Sequence, residues 1–453
     1  RRSDLFLPAS REHRGEWTGA TRLLVRAGLI REFGSGLWGL TPAGERVRTK
    51  LERRIHDAMR AVGAQEVSLP NLQYSERWRE SGRWGAFEGE MFSLSNREGR
   101  AMCLAPSHEE GVVHLLDGLV RSYDDLPVVL YQVDAKFRDD HARAGLLRCK
   151  EFTMKDAYSA HVDADSLRET YREMRAAYLR LFDDLGLTVA VCGADNSVMG
   201  GDRSEEFVAP VADGSCRLSH CTADGCRWGV TDEATTFDEY AAGEDCPDCG
   251  GRLDADAGVE VGHVFELGTR YADAMGLTVD DGDGGSVTVE MGSYGIGVSR
   301  LLQTIVMQGA WQRDSGLDSL HWPVTDWGSV APYRAAVVPI GDDDVVREAA
   351  TGVHDAIGAD CLLFDDDGQS VGERFAESEL LGIPAKVVVG NHYRETGDVE
   401  IEHRNGESRS VAPERVSDAV ERFAAGLDAT RAQRGRGDAG SHAIQIRRAS
   451  YPR

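Results

Sequence analysis

Apolar positions recur every three or four residues in two long segments of the chain, which predicts two amphipathic helices. In the first segment Thr41 can cap the helix, Pro42 suits its first turn and Gly63 can end it. Its apolar stripe consists of Val47, Leu51, Ile55, Ala58 and Val62. The second segment covers residues 165–186, and its stripe consists of Leu167, Tyr171, Met174, Tyr178, Leu181 and Leu185.

The remaining apolar runs are short and read as strands, and their arrangement differs between the two parts of the chain. Before residue 330 strands and helices do not alternate regularly, which predicts an α+β domain around an antiparallel sheet. From about residue 331 the pattern becomes strand, helix, strand, helix, strand, with helices over 343–356 and 370–381. This alternation predicts a compact α/β domain with a parallel core.

The charge balance limits the kinds of partner that the chain can bind. It contains 51 Lys and Arg residues against 76 Asp and Glu residues, so its net charge is −25. Such a surface argues against a general nucleic-acid-binding protein, and a polyanionic partner would have to bind a local basic patch. There is no apolar run of about 18 residues and no apolar segment of a secretory signal near the first residue, so we expect no membrane span and a cytoplasmic location.

Five of the nine cysteines lie between residues 216 and 249. Cys221 and Cys226 form one close pair, and Cys246 and Cys249 form a second pair after nineteen intervening residues. Two pairs of thiolates on a loop-rich segment can supply the four ligands of a tetrahedral structural zinc site. Cys216 offers an alternative spacing. We predict a structural Zn²⁺ bound by Cys221, Cys226, Cys246 and Cys249.

Three other segments combine residues suited to nucleotide chemistry. The hairpin "KFRDDHARAGLLRCKEF" at residues 136–152 carries Arg138, whose planar fork suits a phosphate or carboxylate, and Phe152, which can stack on a base. The segment "MGSYGIGVSRLL" places glycines directly before Arg300 at the start of a helix, so that the backbone can approach a ligand closely. The third segment is a long helix feeding a strand that ends at Pro70.

In this order and spacing, the three segments resemble motifs 1, 2 and 3 of the class II aminoacyl-tRNA synthetases. The stretches "RAGLIREFGSGLW", "SGRW", "PSHEE", "KEFTMKDAYSAH" and "GVEVGHVFELGTRYADAM" are similar to the bacterial type of prolyl-tRNA synthetase. The resemblance extends over about residues 3–420. It implies a class II catalytic domain built on an antiparallel sheet and a C-terminal α/β anticodon-binding domain.

The resemblance also implies an activity and a set of site residues. The family activates proline with ATP to prolyl-adenylate and transfers the prolyl group to tRNA(Pro). The implied catalytic residues are Arg138, Arg300 and Glu109. The implied proline-binding residues are Ser107, Glu109, Arg138, Met154, His263 and Ser293. The implied residues for ATP and its Mg²⁺ are Arg138, Asp140, Arg148, Phe152, Glu260, Gly295, Gly297 and Arg300.

The same resemblance divides the chain into regions. We expect a catalytic domain at 1–211 and 258–328, interrupted by a zinc-ribbon-like cysteine-rich insert at 212–257. The anticodon-binding domain is expected at 329–426, and a disordered tail at 427–453. The interval between motifs 2 and 3 leaves no room for the large editing insertion of many bacterial relatives. Because motif 1 packs across a two-fold interface in this class, we also expect a homodimer.

Several residues depart from the family pattern. Ser107 replaces the usual Thr, Asp140 the usual Glu, Ser293 the usual Cys, and Asp367 the usual Arg of the anticodon-binding domain. An acidic residue at 367 weakens the case for ordinary tRNA recognition. Two alternatives therefore stay open. One is a paralogue that activates proline or a similar amino acid for an acceptor other than tRNA, and the other is a catalytically silent RNA-binding or regulatory homologue.

Overall fold

The computed structural model describes residues 1–9, 17, 19–86, 89–194, 199, 201, 203–311, 318–403 and 406–424. The predicted tail at residues 427–453 lies outside these ranges. Among the helices that are described, none is both long and apolar enough to cross a membrane.

The two long amphipathic helices are confirmed at Pro42–Ala61 and Ala164–Asp184. Thr41 accepts a hydrogen bond from the backbone N–H of Gly44, so it caps the first helix as predicted. Asp163 caps the second helix through the N–H of Ser166. Both helices bury most of their apolar stripes in the main core of the chain; Leu167 is buried outside it.

The first part of the chain is organised around a nine-stranded, mostly antiparallel sheet, which confirms the α+β prediction. Its strands, in spatial order, are Arg203–Val211, Ala190–Gly193, Trp228–Thr231, Cys216–Cys221, Leu253–Gly268, Glu290–Gly297, Glu151–His161, Val128–Phe137 and Gln65–Glu66. Two pairings are parallel: Trp228–Thr231 with Ala190–Gly193, and Gln65–Glu66 with Val128–Phe137.

Residues 212–257 contain more regular structure than the loop-rich segment that we expected. Strands Cys216–Cys221 and Trp228–Thr231 belong to the nine-stranded sheet. Strand Arg203–Val211 pairs both with Ala190–Gly193 and with Leu253–Gly268, so five strands close into a ring. The cysteine-rich segment therefore extends from the nine-stranded sheet itself.

Shorter elements surround this sheet. The helices are Gly19–Arg26, Ser75–Glu80, Arg83–Ala86, Glu109–Leu116, Arg270–Met275 and Val298–Trp311. A three-stranded sheet contains Leu72–Tyr74, Ala101–Leu104 and Ser93–Ser95, and two hairpins pair Ile30–Gly34 with Leu37–Leu40 and Thr278–Asp280 with Ser286–Thr288.

The C-terminal part has the predicted α/β core with an unexpected antiparallel edge. Strands Cys361–Leu363, Ala335–Pro339 and Ala385–Val389 are parallel, and Val399–His403 and Ser408–Val411 continue the sheet in antiparallel fashion. The helices are Asp344–Ile357, Val371–Leu380, Asn391–Thr396 and Val416–Ala424. Lys50 and Arg46 on the first long helix pair with Asp360, which joins this unit to that helix.

Candidate active site

A cavity of about 980 Å³ opens on the nine-stranded sheet. Its walls come from the hairpin of Val128–Phe137 and Glu151–His161, from strands Leu253–Gly268 and Glu290–Gly297, and from the first turns of helix Val298–Trp311. Every residue predicted to contact proline or ATP lines this one cavity: Ser107, Glu109, Arg138, Asp140, Arg148, Phe152, Met154, Glu260, His263, Ser293, Gly295, Gly297 and Arg300.

Two arginines face the cavity from opposite motifs. Arg138 follows the first hairpin strand; its Nη2 donates to the backbone oxygen of Pro106 at 3.3 Å, and its guanidinium lies 5.5 Å from the ring centroid of Phe152. Its Nε is buried and has no hydrogen-bond partner within the described part of the chain. Burial and the nearby charge of Arg300 lower the pKa of Arg138. Two neighbouring cations favour the binding of an anion such as a phosphate.

Arg300 lies in the first turn of helix Val298–Trp311 and already makes two strong contacts. Its Nε donates to the backbone oxygen of Leu147 at 2.9 Å, and its Nη1 donates to Oε2 of Glu260 at 2.9 Å. The helix begins directly after Gly297, and a Cβ at the preceding Gly295 would meet open space. The glycines therefore leave the backbone of this strand accessible from the cavity.

The turn of the hairpin is held in an unfavourable backbone conformation. Ala144 has φ of 55° and Gly145 has φ of 65°, both in the left-handed region. The buried side chain of Gln303 fixes this turn: its Nε2 donates to the oxygen of Ala144, and its Oε1 accepts the N–H of Leu146, both at 2.9 Å. Beside the turn, Arg148 and Asp140 form an ion pair with each other.

Glu260 and His263 share one face of their strand because the strand contains a bulge. Residues three apart on a regular strand point to opposite faces. In Leu253–Gly268, however, Gly262 pairs with Phe207 while Glu260 pairs with Val208, so the residue between them is extra. Both side chains consequently reach the cavity.

A second carboxylate, that of Glu206, completes this group. Glu206 pairs directly with His263 across the two strands, and Nδ1 of His263 lies 3.5 Å from a carboxylate oxygen of both Glu206 and Glu260. Burial, together with the negative charge of Glu260, raises the pKa of Glu206. Although burial disfavours the charge of Glu260, a hydrogen bond with His263 and the charge of Arg300 lower its pKa. Glu260 is thus the carboxylate that stays ionised.

The other end of the cavity is built around a buried carboxylate. Glu109 begins helix Glu109–Leu116, is 1% exposed, and accepts a hydrogen bond from Oγ of Ser293 at 3.0 Å. Arg83 does not line the cavity; its Nη1 lies 2.8 Å from Oε2 of Glu109, and its Nη2 donates to Oγ of Ser107. Despite the opposing effect of burial, Arg83 lowers the pKa of Glu109. This end can therefore pair with a cationic amino group.

The four predicted cysteine ligands come together away from this cavity. The Sγ atoms of Cys221 and Cys249 are 3.5 Å apart, those of Cys226 and Cys246 are 3.9 Å apart, and all four lie within 4.8 Å of one another. A Zn–S bond of about 2.3 Å requires sulphurs about 3.8 Å apart in a tetrahedron, so the four thiols fit Zn²⁺. Cys216 instead donates to the oxygen of Gly258 and lines the active-site cavity.

Two regions of the chain match known protein families. Residues 92–308 match the tRNA synthetase class II core domain (G, H, P, S and T), and residues 334–423 match the anticodon binding domain. The protein is therefore a class II tRNA synthetase core joined to an anticodon-binding domain.

Relatives that match almost the whole chain identify the family within this class. A proline–tRNA ligase of Gluconobacter oxydans is 37% identical over 89% of this chain and 94% of its own, and one of Rhizobium leguminosarum is 35% identical over 94% of this chain and 100% of its own. The chain belongs to the proline–tRNA ligase family. A crystal structure of prolyl-tRNA synthetase from Cryptosporidium parvum with L-proline and AMP has the same fold, with a TM-score of 0.69 and 16% identity over 92% of this chain and 80% of that one.

Three residues of the site were not predicted from the sequence. Glu206 follows Glu205 in the chain, and alternation along the strand does not indicate which of the two faces the cavity. Arg83 lies in the "SGRW" stretch, which carried the family resemblance but no assigned role. Gln303 lies three residues after Arg300 on the same helix. Residues at this spacing share a helix face, so the sequence could have indicated that Gln303, like Arg300, reaches the hairpin turn.

Proposed function

We propose that the protein activates proline with ATP, giving prolyl-adenylate and pyrophosphate, and then transfers the prolyl group to tRNA(Pro). The observation that carries this proposal is the shared cavity. Its walls contain two arginines suited to phosphates and the carboxylate of Glu109, which is suited to an amino group. Family membership supports the same reaction.

In the first step the carboxylate of proline attacks the α-phosphate of ATP in line with the departing pyrophosphate. This step depends on positioning and on charge neutralisation, since no covalent intermediate with the protein is needed. Arg138 would bridge the substrate carboxylate and the α-phosphate, and Arg300 would bind the γ-phosphate. Phe152 would stack on the adenine. Glu260 would bind the Mg²⁺ that accompanies ATP.

The amino group of proline would meet Glu109 at the opposite end of the cavity. Ser107 and Ser293 lie beside this carboxylate, and Met154 lines the same cavity. His263, which is expected in this proline pocket, lines the same cavity, and its Nδ1 lies 3.5 Å from carboxylate oxygens of Glu206 and Glu260. We propose that it also orients Glu260.

Two assays test this proposal. ATP–pyrophosphate exchange that depends on proline measures the first step, and charging of tRNA(Pro) measures the second. We expect both activities in the purified protein. Absence of exchange with proline, under conditions where another amino acid supports exchange, would refute the assigned substrate.

A second candidate function is activation of the amino acid for an acceptor other than tRNA. Residues 334–423 contain 9 basic and 20 acidic residues, and Asp367 forms an exposed ion pair with Arg347. Such an acidic surface opposes binding of a polyanion. Exchange with proline but no charging of tRNA(Pro) would favour this candidate. A catalytically silent homologue is disfavoured, because the chain keeps the arginines and the aromatic ring that ATP needs.

For the cysteine cluster we propose a structural Zn²⁺. Its four ligands are already supplied by the protein, so the ion would have no open position for substrate. Backbone N–H groups of Ala223 and Gly251 donate to Sγ of Cys221 and Cys249, which stabilises thiolates in such sites. Metal analysis of the gently purified protein should give about one zinc per chain, and a value near zero would refute the site.

We also propose a cytoplasmic homodimer. Three apolar side chains of the small sheet next to Pro70 are at least 40% exposed, namely Leu72, Tyr74 and Leu94. Burial of such a surface against a second copy would remove apolar area from water. Light scattering should give twice the mass of the chain, and a monomer at micromolar concentration would contradict the dimer.

A further inference from the structure

Arg83 is a fully buried arginine placed behind the wall that would receive the amino group of the substrate. Its side chain is 0% exposed, and its guanidinium lies 5.0 Å from the ring of Trp78 and 5.4 Å from the ring of Tyr271. The same guanidinium binds Glu109 at 2.8 Å and Glu110 at 3.0 Å. A buried charge is costly unless it is paired, so this arrangement links Arg83 to both carboxylates.

The two carboxylates are not equivalent. Glu109 lines the cavity, whereas Glu110 lies behind it and accepts a hydrogen bond from Oγ of Ser81 at 2.6 Å. Burial raises the pKa of Glu110, and the charge of Glu109 adds to this effect while Arg83 opposes it. For Glu109 the interactions with Arg83 and Ser107 outweigh burial, and its pKa is lowered.

Arg83 also fixes the position of the neighbouring hydroxyl. Its Nη2 donates to Oγ of Ser107 at 2.8 Å, and Ser107 is the other predicted contact of the amino group. One buried guanidinium therefore orients two groups of the cavity wall, although it does not line the cavity itself.

We infer that Arg83 is a positioning residue for recognition of the substrate amino group: its buried guanidinium orients the carboxylate of Glu109 and the hydroxyl of Ser107 in the cavity wall, and it also pairs with Glu110. This inference rests on the proposed function, because it takes the substrate to be an amino acid whose cationic amino group meets Glu109. Arg83 itself touches neither substrate nor ATP.

The test compares Arg83→Met and Arg83→Lys with the wild-type protein in ATP–pyrophosphate exchange. Arg79→Met is the matched control, since Arg79 is exposed on the adjacent helix Ser75–Glu80 and stacks on Trp84. In Arg83→Met the KM for proline should rise roughly 10- to 100-fold, as expected when a charged hydrogen bond is lost. The KM for ATP should stay within about twofold of the wild-type value, because the phosphate end is unchanged.

The pH profile separates positioning from packing. Without Arg83, Glu109 should ionise only at higher pH, so the KM for proline should fall as pH rises from about 6 to about 9. The wild-type profile should be flat over the same range. The titratable and charged groups that face Glu109 are Arg83, Glu110, Arg138, Tyr158 and Tyr271. Arg83→Lys should be intermediate, since lysine keeps the charge but cannot reach all three partners.

A double variant provides the decisive comparison. Adding Glu110→Gln to Arg83→Met removes the carboxylate that repels Glu109. The KM for proline should therefore be about three- to tenfold lower in the double variant than in Arg83→Met. A purely structural Arg83 predicts no recovery, because the second change removes a further buried contact.

Each result decides the question. An unchanged KM for proline, an equal rise in the KM for proline and for ATP, or loss of the folded state in both single variants would overturn the inference. If the wild-type protein uses another amino acid instead of proline, the proposed substrate is wrong, and the same variants measured with that amino acid still test Arg83. Absence of exchange with every amino acid would overturn both proposals.

Discussion

Replacement of Gln303 by Leu should destabilise the protein and weaken its binding of ATP through one local change. The substitution removes both hydrogen bonds that hold the hairpin turn at Ala144 and Leu146. Leu is close to Gln in size, so the variant removes polar contacts without opening a large cavity. The backbone groups of the turn are left unpaired beside a buried helix.

The magnitude follows from the two unpaired groups. A buried backbone donor or acceptor without a partner costs about 1–3 kcal/mol. Relaxation of Ala144 out of its left-handed conformation returns about 1–2 kcal/mol. With the middle of each range, the net decrease in the free energy of unfolding should therefore be about 2.5 kcal/mol. Because Arg148 and Asp140 flank the turn, we also expect the KM for ATP to rise about tenfold, which corresponds to about 1.4 kcal/mol.

A glutamine on the same helix supplies the control. Gln308 accepts the N–H of Thr188 at 2.7 Å, donates to the oxygens of Thr188 at 2.8 Å and of Pro210 at 3.1 Å, and does not line the cavity. Urea denaturation should give at least as large a loss for Gln308→Leu as for Gln303→Leu. Exchange assays over a range of ATP concentrations should show a higher KM for Gln303→Leu alone. Equal KM values for the two variants would refute the role assigned to the turn.

Other predictions concern the remaining parts of the site. Arg138→Lys keeps the charge but loses the planar fork, so kcat/KM for exchange should fall about 100-fold, and an unchanged value would contradict the role of this side chain. Because the pKa of Glu206 is raised in the folded protein, the carboxyl favours folding at low pH and this contribution is lost as pH rises. Urea titrations should thus show the wild-type protein losing stability relative to Glu206→Gln between about pH 5 and about pH 9, whereas parallel profiles would show that Glu206 does not titrate there. Cys249→Ser should abolish zinc binding and Cys216→Ser should not, as measured by metal analysis; retention of zinc by the first variant would exclude the assigned ligand set.

Features that depend on local chemistry could be predicted from the sequence. Thr41 and Pro42 mark the start of a helix through interactions within one turn, and the spacing of its apolar residues indicates the face that is buried. The site residues were expected from the resemblance of three short motifs to those of a known family. Arg138, Phe152 and Arg300 from two of these motifs line the same cavity.

Features that depend on distant partners could not be predicted. Strand Trp228–Thr231 lies parallel to Ala190–Gly193, and nothing in either segment specifies that pairing. The bulge beside Glu260 depends on pairing with Val208, which lies 52 residues earlier in the chain. Arg83 lies in a four-residue helix, and its position in the chain does not indicate that it pairs with Glu109. Each of these arises from tertiary packing.

Strand Leu253–Gly268 has a consequence for how this protein can be lengthened. It runs from the cysteine cluster to the cavity and pairs along its course with three other strands. A residue added within it would displace Glu260 or His263 from Glu206, so that stretch cannot change in length. Thr235 and Thr236 are exposed, lie outside every strand and do not line the cavity. Because the cost of closing a longer loop grows only slowly, added residues at this point would leave Glu206, Glu260 and His263 in place.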